Sequence, residues 1–394
     1  MTASPLLPLA TETWDAEELA AIDRVVASRR FTMGREVRAF ETQFAAHFGA
    51  RHAVMVNSGS SANLIALAGA LYHPKKPFEP GDQIIVPAVS WSTTFYPVHQ
   101  LGLELRFVDV DAETLNMRVA DVEAAITNRT RGVLAVNLLG NPCDLNGLRT
   151  LCDARGLTLI EDNCESMGAR VDGRDAGTWG LAGTFSTFFS HHISTMEGGV
   201  IVTDDTALYN TMVSLRAHGW LREQPADSHL NIEVDDFVRL FRFVLPGYNV
   251  RPLEMSGAIG RAQLRKLPAL VAARRANAAH FQRLFADCED IQIQRETGES
   301  SWFGFAMVLR GRLAGRRAEL VATLREAGVE ARPIVAGNFT LNPVLKHLRH
   351  AVPGPLPNAD RIDAEGLFIG NHHFDIAAAL ARCREIVETL AERR

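Results

Sequence analysis

Three features that would narrow the function of this chain are missing from its sequence: a basic surplus, a long apolar run and a cysteine cluster. Its 394 residues contain 41 Lys+Arg against 46 Asp+Glu, which gives a formal net charge of -5. Because nucleic-acid-binding surfaces carry basic patches or stripes, this balance argues against nucleic-acid binding as the main function. The densest basic run, residues 310–317, holds only four arginines and is typical of a solvated helix start.

The absence of a long apolar run and of a cysteine cluster indicates the cellular compartment of the protein. The longest apolar stretch, Leu64–Tyr72, is too short to cross a bilayer. The N-terminus lacks the charged start, apolar centre and cleavage site of a secretion signal. The 5 cysteines show neither CxxC spacing nor the density of a disulfide scaffold, which is typical of reduced thiols. We therefore predict a cytoplasmic protein with no membrane partner.

The pattern that is present indicates an α/β protein. From about residue 52 to residue 205, short apolar runs alternate with amphipathic helical stretches. Strand–helix alternation predicts a mainly parallel sheet, whose ligands bind at the carboxyl ends of the strands. The predicted strands are His52–Val56, Gln83–Val86, Leu105–Val108, Gly132–Asn137, Leu157–Ile160, Thr184–Phe189 and Val200–Thr203. The predicted helices between them are Ser60–Tyr72, Ser92–Leu101, Val119–Ile126, Leu145–Arg155 and Ala207–Ala217.

The alternation of predicted strands and helices changes after residue 249, and this change predicts a second, smaller α+β domain. We predict a large domain over residues 1–248, with an N-terminal arm and helix over residues 1–50, and a small domain over residues 249–394. In the small domain we expect a helix over Pro252–Arg265, a break at Pro268 and a long helix through Phe285. A strand over Trp302–Leu309, a helix over Ala314–Ala327 and a terminal helix complete the predicted elements.

Three segments at predicted strand ends carry candidate binding residues, and each also has a purely structural interpretation. Residues 57–63 (NSGSSAN) follow a strand and open a helix, an arrangement that binds phosphate but is also an ordinary turn with a serine cap. Asp162 ends an apolar strand, as a ligand-binding carboxylate or as a helix cap. Trp91 either stacks on a flat ligand or fills the core.

A fourth segment, residues 183–199, runs from a strand into a polar turn with two adjacent histidines. A metal site built from His191, His192 and Glu197 is conceivable from the residue types alone. Adjacent side chains in an extended segment point in opposite directions, however, so the two histidines are poorly placed to bind one ion. We therefore expect no metal site.

Together these motifs resemble the sugar aminotransferase group of the fold-type I pyridoxal-phosphate enzymes, the DegT/DnrJ/EryC1/StrS family, over nearly the whole chain. The resemblance lies in Ser58-Gly59-Ser60, Trp91, Asp162, Ser186, Glu197-Gly198-Gly199 and the Gly-Tyr-Asn-x-Arg of residues 247–251. It implies an aspartate aminotransferase-like fold, a pyridoxal or pyridoxamine phosphate (PLP or PMP) cofactor, and a homodimer with shared active sites.

The resemblance also implies a role for each matching residue. Gly59, Ser60 and Ser186 would hold the cofactor phosphate, and Asn249 would reach it from the partner subunit. Trp91 would stack on the cofactor ring.

Further roles follow from the same resemblance. Asp162 would bond to the ring nitrogen, and Glu165 would lie near the 3-hydroxyl of the cofactor. His218 and Arg251 are candidates for substrate contacts, although either side chain is equally suited to a structural role.

One position departs from the family pattern. His191 stands five residues after Ser186 and six before Glu197, where the family has the lysine that binds the cofactor covalently. The chain has four lysines, Lys75, Lys76, Lys266 and Lys346, and none of them lies in the segment directly after the Ser186 strand. Imidazole cannot form that covalent link, so the cofactor would be held non-covalently, and an ordinary aminotransferase is disfavoured. His192 is the rival of His191, and the spacing favours His191.

Histidine at this position is typical of the sugar 3-dehydratases of the family. The resemblance implies a lyase that removes the C3 hydroxyl of a nucleotide-linked 4-keto-6-deoxy sugar, with L-glutamate as amino donor, in dideoxysugar and O-antigen biosynthesis. With an ordinary pKa of about 6.5, His191 is neutral near pH 7 and can act as the base. We favour a GDP-linked sugar; a CDP- or TDP-linked sugar and an inactive cofactor-binding subunit remain the alternatives.

Overall fold

The computed structural model describes residues 5–393, which form two sheets, a two-stranded ribbon and the helices packed around them. The strands are β1 (His52–Val56), β2 (Gln83–Pro87), β3 (Glu104–Val108), β4 (Thr130–Val136), β5 (Thr158–Asp162), β6 (Arg170–Val171), β7 (Arg174–Asp175), β8 (Ala182–Ser186), β9 (Gly199–Thr203), β10 (Ile291–Ile293), β11 (Gly304–Leu309), β12 (Ala331–Arg332), β13 (His350–Ala351) and β14 (Gly366–Gly370). The helices are α1 (Ala16–Ser28), α2 (Arg35–His47), α3 (Gly59–Leu71), α4 (Ser92–Gln100), α5 (Val119–Ala124), α6 (Leu145–Arg155), α7 (Thr206–Arg216), α8 (Asp236–Arg239), α9 (Glu254–Phe285), α10 (Arg317–Glu326), α11 (Pro357–Glu365) and α12 (Ala377–Glu392).

The large sheet has the strand order β1-β9-β8-β5-β4-β2-β3-β13. Its strands from β8 to β13 are parallel, whereas β9 runs antiparallel to both β1 and β8. Strands β2, β8 and β9 are buried at every position, as expected when helices cover both faces of a parallel sheet. The predicted mainly parallel sheet is therefore present.

The strand predicted over Thr184–Phe189 ends earlier, because β8 stops at Ser186. Beyond that point the backbone pairs with its own loop: Thr187 N–H donates to Gly198 O at 2.9 Å, and His191 N–H donates to Phe188 O at 2.9 Å. The apolar residues Phe188 and Phe189 thus belong to the turn that carries His191.

Helix α9 is continuous over 32 residues, so the break predicted at Pro268 is wrong. Proline removes one helical hydrogen bond, but α9 packs against α1 and α2 before Pro268 and against the core of the small sheet after it, which keeps the helix continuous. Two glycines permit this close approach. A Cβ atom on Gly257 would lie 2.6 Å from the Val37 backbone, and one on Gly260 would lie 2.8 Å from the Phe40 ring.

The small sheet has the order β10-β11-β14-β12 and is antiparallel throughout. The second half of α9 covers it, with Phe281 stacked on Phe305 at 4.3 Å between ring centroids. The division at residues 248 and 249 stays a prediction, since α9 contributes to both cores and β13 joins the large sheet. Within residues 5–393, no helix is long and apolar enough to cross a membrane.

Glu254, at the start of α9, caps the N-terminus of α2 from outside that helix. Its buried carboxylate accepts hydrogen bonds from the backbone N–H groups of Gly34 (2.5 Å), Glu36 (2.8 Å) and Val37 (3.3 Å). The N-cap residue Gly34 has no side chain that could satisfy these groups. A carboxylate at a helix N-terminus is also favoured by the helix dipole.

We predict that Glu254→Gln lowers the free energy of unfolding by about 2 kcal/mol, because the amide turns an N–H₂ group toward backbone donors. Urea denaturation measures the loss. The matched control is Glu17→Gln, which removes a carboxylate from an exposed ion pair with Arg265 (2.6 Å) and should change stability by less than about 0.5 kcal/mol. Equal losses in the two variants would contradict the capping role of Glu254.

Candidate functional site

A cavity of about 340 Å³ lies at the carboxyl edge of the large sheet, where it meets the small sheet. Four of the predicted site residues line it: Trp91, Asp162, Glu165 and His191. The sequence analysis missed the other residues of its wall: Asn63, Ser90, Thr93, Thr94, Val136, Cys164, Phe188, Ser190, Phe303, Arg332, Val335 and Phe368. The cavity thus joins residues from the ends of β2, β4, β5 and β8 to residues of the small sheet.

Asp162 ends β5 and is only 5% exposed, yet donors surround its carboxylate. Asn63 Nδ2 and Thr94 Oγ1 each donate to Oδ2 at 2.8 Å, and Cys164 N–H donates to Oδ1 at 3.1 Å. Thr184 Oγ1 donates to Asn63 Oδ1 and so fixes the orientation of the amide. These donors fix the orientation of the carboxylate at the cavity wall.

Glu165 lies three residues beyond Asp162 in a different environment. Its Oε2 atom accepts one hydrogen bond, from Leu139 N–H at 2.9 Å. Burial raises the pKa of Glu165 to about 7, and the nearby charge of Asp162 acts in the same direction. The two carboxyl groups thus lie on one wall in different environments, and burial brings the pKa of Glu165 into the range in which acid–base catalysts work near neutral pH.

His191 reaches the cavity from the turn that follows β8. Its ring lies 5.2 Å from the ring of Phe303 and 6.0 Å from that of Phe188. Its Nδ1 atom is buried and has no hydrogen-bond partner among the described residues. Burial lowers the pKa of His191 to about 3, and the positive charge of Arg274 adds to the effect. The imidazole is therefore neutral throughout the physiological range.

His192 points away from the cavity into the core. It is fully buried, and its Nε2 atom lies 3.1 Å from Ser301 O. Burial lowers its pKa well below the ordinary value. Of the two adjacent histidines, the structure brings only His191 to the cavity, in the arrangement expected for an extended turn.

The turn between β1 and α3 forms a cradle beside the cavity. Ser58 caps α3 by accepting a hydrogen bond from Ser61 N–H at 3.1 Å. A Cβ atom on Gly59 would lie 2.7 Å from Ser186 Cβ and 3.0 Å from Cys164 Sγ. Only glycine at position 59 therefore lets the helix start approach Ser186 this closely, and Ser60 lies exposed at the same helix start. A helix N-terminus with free N–H groups favours phosphate.

The structure does not bring the remaining predicted site residues to the cavity of the same chain. Asn249 is exposed, and its Oδ1 atom accepts a hydrogen bond from Arg251 Nε at 3.0 Å. His218 N–H donates to Tyr248 O at 2.6 Å. The Arg251 guanidinium lies 5.7 Å from the Trp220 ring centroid. These residues form an aromatic and basic surface next to the turn that opens α3.

The arrangement suits a planar ligand that carries a basic ring nitrogen and a phosphate. Asp162 offers a buried negative charge, and the start of α3 offers N–H groups. Trp91 is 55% exposed, which leaves its ring free to stack. Among residues 5–393, no three histidine, cysteine, aspartate or glutamate side chains are grouped in a way that could hold a metal ion.

Comparisons with known proteins agree with this geometry. The chain is 52% identical to GDP-4-keto-6-deoxy-D-mannose 3-dehydratase from Yersinia pseudotuberculosis, over 97% of this chain and 98% of that protein. A crystal structure of GDP-4-keto-6-deoxymannose-3-dehydratase with a trapped PLP–glutamate geminal diamine superposes with a TM-score of 0.94 at 49% identity, covering 97% of this chain and 100% of that one. A His-to-Asn variant of the same kind of enzyme (ColD), with bound GDP-perosamine, gives a TM-score of 0.94 at 48% identity, covering 97% and 100%.

These structures confirm the predicted aspartate aminotransferase-like fold class. A family model matches residues 12–388, which is nearly the whole described chain. The chain therefore belongs to the DegT/DnrJ/EryC1/StrS aminotransferase family.

Proposed function

We propose that this chain is a PMP-dependent 3-dehydratase that converts GDP-4-keto-6-deoxy-D-mannose to GDP-4-keto-3,6-dideoxy-D-mannose. The observation that carries the proposal is a neutral imidazole, His191, on the cavity wall at the position where the family has its lysine. The full-length likeness to 3-dehydratases supports the same reaction and a GDP-linked sugar. L-Glutamate as amino donor is supported by the glutamate adduct in the related structure.

The residues of the site fit PLP or PMP. Asp162 would hold the protonated ring nitrogen, and Trp91 would cover one ring face. The cradle of Gly59, Ser60 and Ser186 would hold the phosphate. When bound, the cofactor supplies an amine that condenses with the C4 ketone and a ring that accepts electrons. Because the described cavity wall contains no lysine, non-covalent contacts alone would retain the cofactor.

His191 would act as the base and then as the acid. Burial of Nδ1 leaves Nε2 as the nitrogen that faces a ligand. A neutral imidazole can take the proton released beside the amine nitrogen and pass it to the departing C3 oxygen.

Glu165 would lie beside the 3-hydroxyl of the cofactor and exchange a proton with it. Its raised pKa keeps the carboxyl group ready both to donate and to accept a hydrogen bond near pH 7. His218 and Arg251 lie outside the cavity of their own chain, so as substrate contacts they would serve the site of a partner subunit.

The overall reaction balances with glutamate as the second substrate. One sugar nucleotide loses the oxygen atom at C3, and one glutamate becomes 2-oxoglutarate with the release of one ammonia molecule. A product without the C3 hydroxyl is suited to the synthesis of dideoxysugars for the lipopolysaccharide O-antigen, and we propose that this cytoplasmic step belongs to such a pathway.

The functional unit we propose is a homodimer. An exposed apolar surface, which we call the loop patch, supports it: Ile232 (45% exposed), Phe237 (79%), Phe241 (63%), Phe243 (56%) and Leu253 (59%). Apolar patches of this kind are typical of protein interfaces. The patch adjoins Asn249 along the chain. In the homodimer that we propose, Asn249 reaches the phosphate cradle of the partner subunit, as the family pattern implies.

The first test uses purified protein with PMP, glutamate and GDP-4-keto-6-deoxymannose. We expect a sugar nucleotide lighter by one oxygen atom, and equal amounts of ammonia and 2-oxoglutarate, as measured by mass spectrometry and coupled assays. His191→Asn should lower kcat by about 10³-fold through loss of the acid–base group, whereas the control His347→Asn, at an exposed position, should not. A product that carries a new amine would contradict the proposal, and an unchanged sugar would contradict the choice of GDP sugar.

The shared site predicts complementation between two defective variants. His191→Asn and Asn249→Asp homodimers should both be nearly inactive. In a mixed dimer one of the two sites regains both native residues, so mixing and re-equilibration should restore about a quarter of the wild-type activity. The control is each variant alone, taken through the same re-equilibration. Absence of complementation, with mixed dimers demonstrated by native mass spectrometry, would contradict the contribution of Asn249 across the interface.

The raised pKa of Glu165 predicts a pH effect on stability without any cofactor. The folded state binds a proton that the unfolded state releases between the ordinary pKa of 4.5 and the folded pKa of about 7, so stability falls as the pH rises through this window. Between about pH 5 and about pH 7 the stability of the wild type should fall by about 2 kcal/mol relative to Glu165→Gln. Urea denaturation at each pH measures this, and Glu299→Gln, at a half-exposed glutamate, should track the wild type instead.

A further inference from the structure

We propose that Trp14 and Gln263 are positioning residues for His191, and that the N-terminal arm (residues 5–15) holds the His191 turn in place through them. The inference rests on the proposed function for its kinetic consequence. Its structural basis is a hydrogen-bonded contact between the arm, α9 and Ser194, three residues after His191.

Gln263 is fully buried on α9 and connects three segments with its amide group. Its Oε1 atom accepts hydrogen bonds from Thr13 Oγ1 at 2.7 Å and from Ser194 N–H at 3.0 Å. Its Nε2 atom donates to Thr13 O at 3.0 Å and to Glu18 Oε1 at 2.8 Å. Every hydrogen-bonding group of this side chain is thus used, which fixes its orientation.

Trp14 provides a second hydrogen bond to the His191 turn. Its Nε1–H donates to Ser194 O at 3.0 Å. Both backbone polar groups of Ser194 are therefore bonded to residues outside the turn, one to the arm and one to α9. Since Ser194 is only 4% exposed, water does not readily replace either bond.

The other end of the arm is attached to the small sheet region. Leu7 N–H donates to Gly328 O at 3.1 Å, and Glu330 N–H donates to Leu7 O at 2.9 Å. His372 Nε2 lies 2.8 Å from Pro8 O, and its Nδ1 lies 3.0 Å from Thr11 Oγ1. A segment fixed at both ends can transmit a restraint to the turn, whereas a free terminus could not.

This restraint matters because His191 has no hydrogen-bonded partner for Nδ1 among the described residues. The ring itself is held only by packing against Phe303 and Phe188, so its place depends on the backbone of its turn. Proton transfer needs the base within hydrogen-bond reach of the proton, and a displacement of about 1 Å can cost about 10²-fold in rate.

The test variant is Trp14→Phe, which removes the indole N–H and keeps an aromatic ring. We expect kcat for dehydration to fall about tenfold, with KM for the sugar nucleotide and the Kd for PMP within about twofold of wild type. The matched control is Trp179→Phe, in the core between the large sheet and α6, where the buried indole N–H has no partner in residues 5–393. Loss of activity through a raised KM or Kd alone would overturn the positioning role.

A second readout needs no catalysis. Hydrogen-exchange mass spectrometry of the cofactor-free protein should show faster exchange in Trp14→Phe over residues 187–198, with the rest of the large sheet unchanged. Trp179→Phe should leave that peptide as in the wild type. Unchanged exchange over residues 187–198 would overturn the proposal whatever the activity, and it would leave the proposed 3-dehydratase reaction intact.

A double-mutant cycle separates action through His191 from a general effect. We measure the dehydration rate of the His191→Asn variant in single turnovers at high enzyme concentration. In this background, Trp14→Phe should lower the rate by less than about twofold. An undiminished tenfold loss in that background would mean that Trp14 acts elsewhere. Should Trp14→Phe fold poorly, Thr13→Val, which removes one bond to Gln263, provides the same comparison.

Discussion

The buried carboxylate of Asp162 is the constraint on which the site depends. A charge that is 5% exposed at the end of a central strand is tolerated only if donors surround it. Two of those donors, Asn63 and Thr94, belong to α3 and α4 and lie near the starts of these helices. The need to satisfy one acid therefore fixes where two helices begin relative to the sheet edge, and with them the phosphate cradle and the position of Trp91.

Around that carboxylate, burial shifts the pKa of two other groups of the cavity wall. Burial keeps His191 unprotonated and keeps Glu165 near its titration point. The buried guanidinium of Arg274 donates to Phe303 O and Asn371 O rather than to an acid, so its charge is available to act on both histidines. The site is thus built from groups that can exchange protons without first breaking an ion pair.

The sequence predicted the parts of the molecule that depend on local pattern. The central strands and the motifs at their ends lie where the apolar runs and turn residues indicated, because a buried parallel strand has a continuous apolar signature. Thr94, Phe303 and Arg332 were missed, since nothing in their neighbours marks them as cavity residues. Asn63 belongs to the candidate segment 57–63, but its bond to Asp162 spans 99 positions and has no local signal.

The other differences from the sequence analysis arise from contacts far apart in the chain. The prediction of a break at Pro268 was wrong because it did not take into account the packing of α9 on α1 and α2. Strand β13 has two residues and forms only because β3 offers an edge. The bonds from Trp14 to Ser194 and from Thr13 to Gln263 span 180 and 250 positions, a separation that no local pattern encodes.

The uninterrupted course of α9 has a geometric consequence for the His191 turn. Gln263 and Arg274 are eleven residues apart, and eleven residues complete about three helical turns with only about 20° of residual rotation. Both side chains therefore leave the same face of the helix, one toward Ser194 and the other toward Phe303. The helix therefore sets a separation of about 16 Å between these two contacts. Inserting or deleting a single residue between Gln263 and Arg274 would rotate one side chain by about 100° relative to the other, so that only one of the two contacts could form.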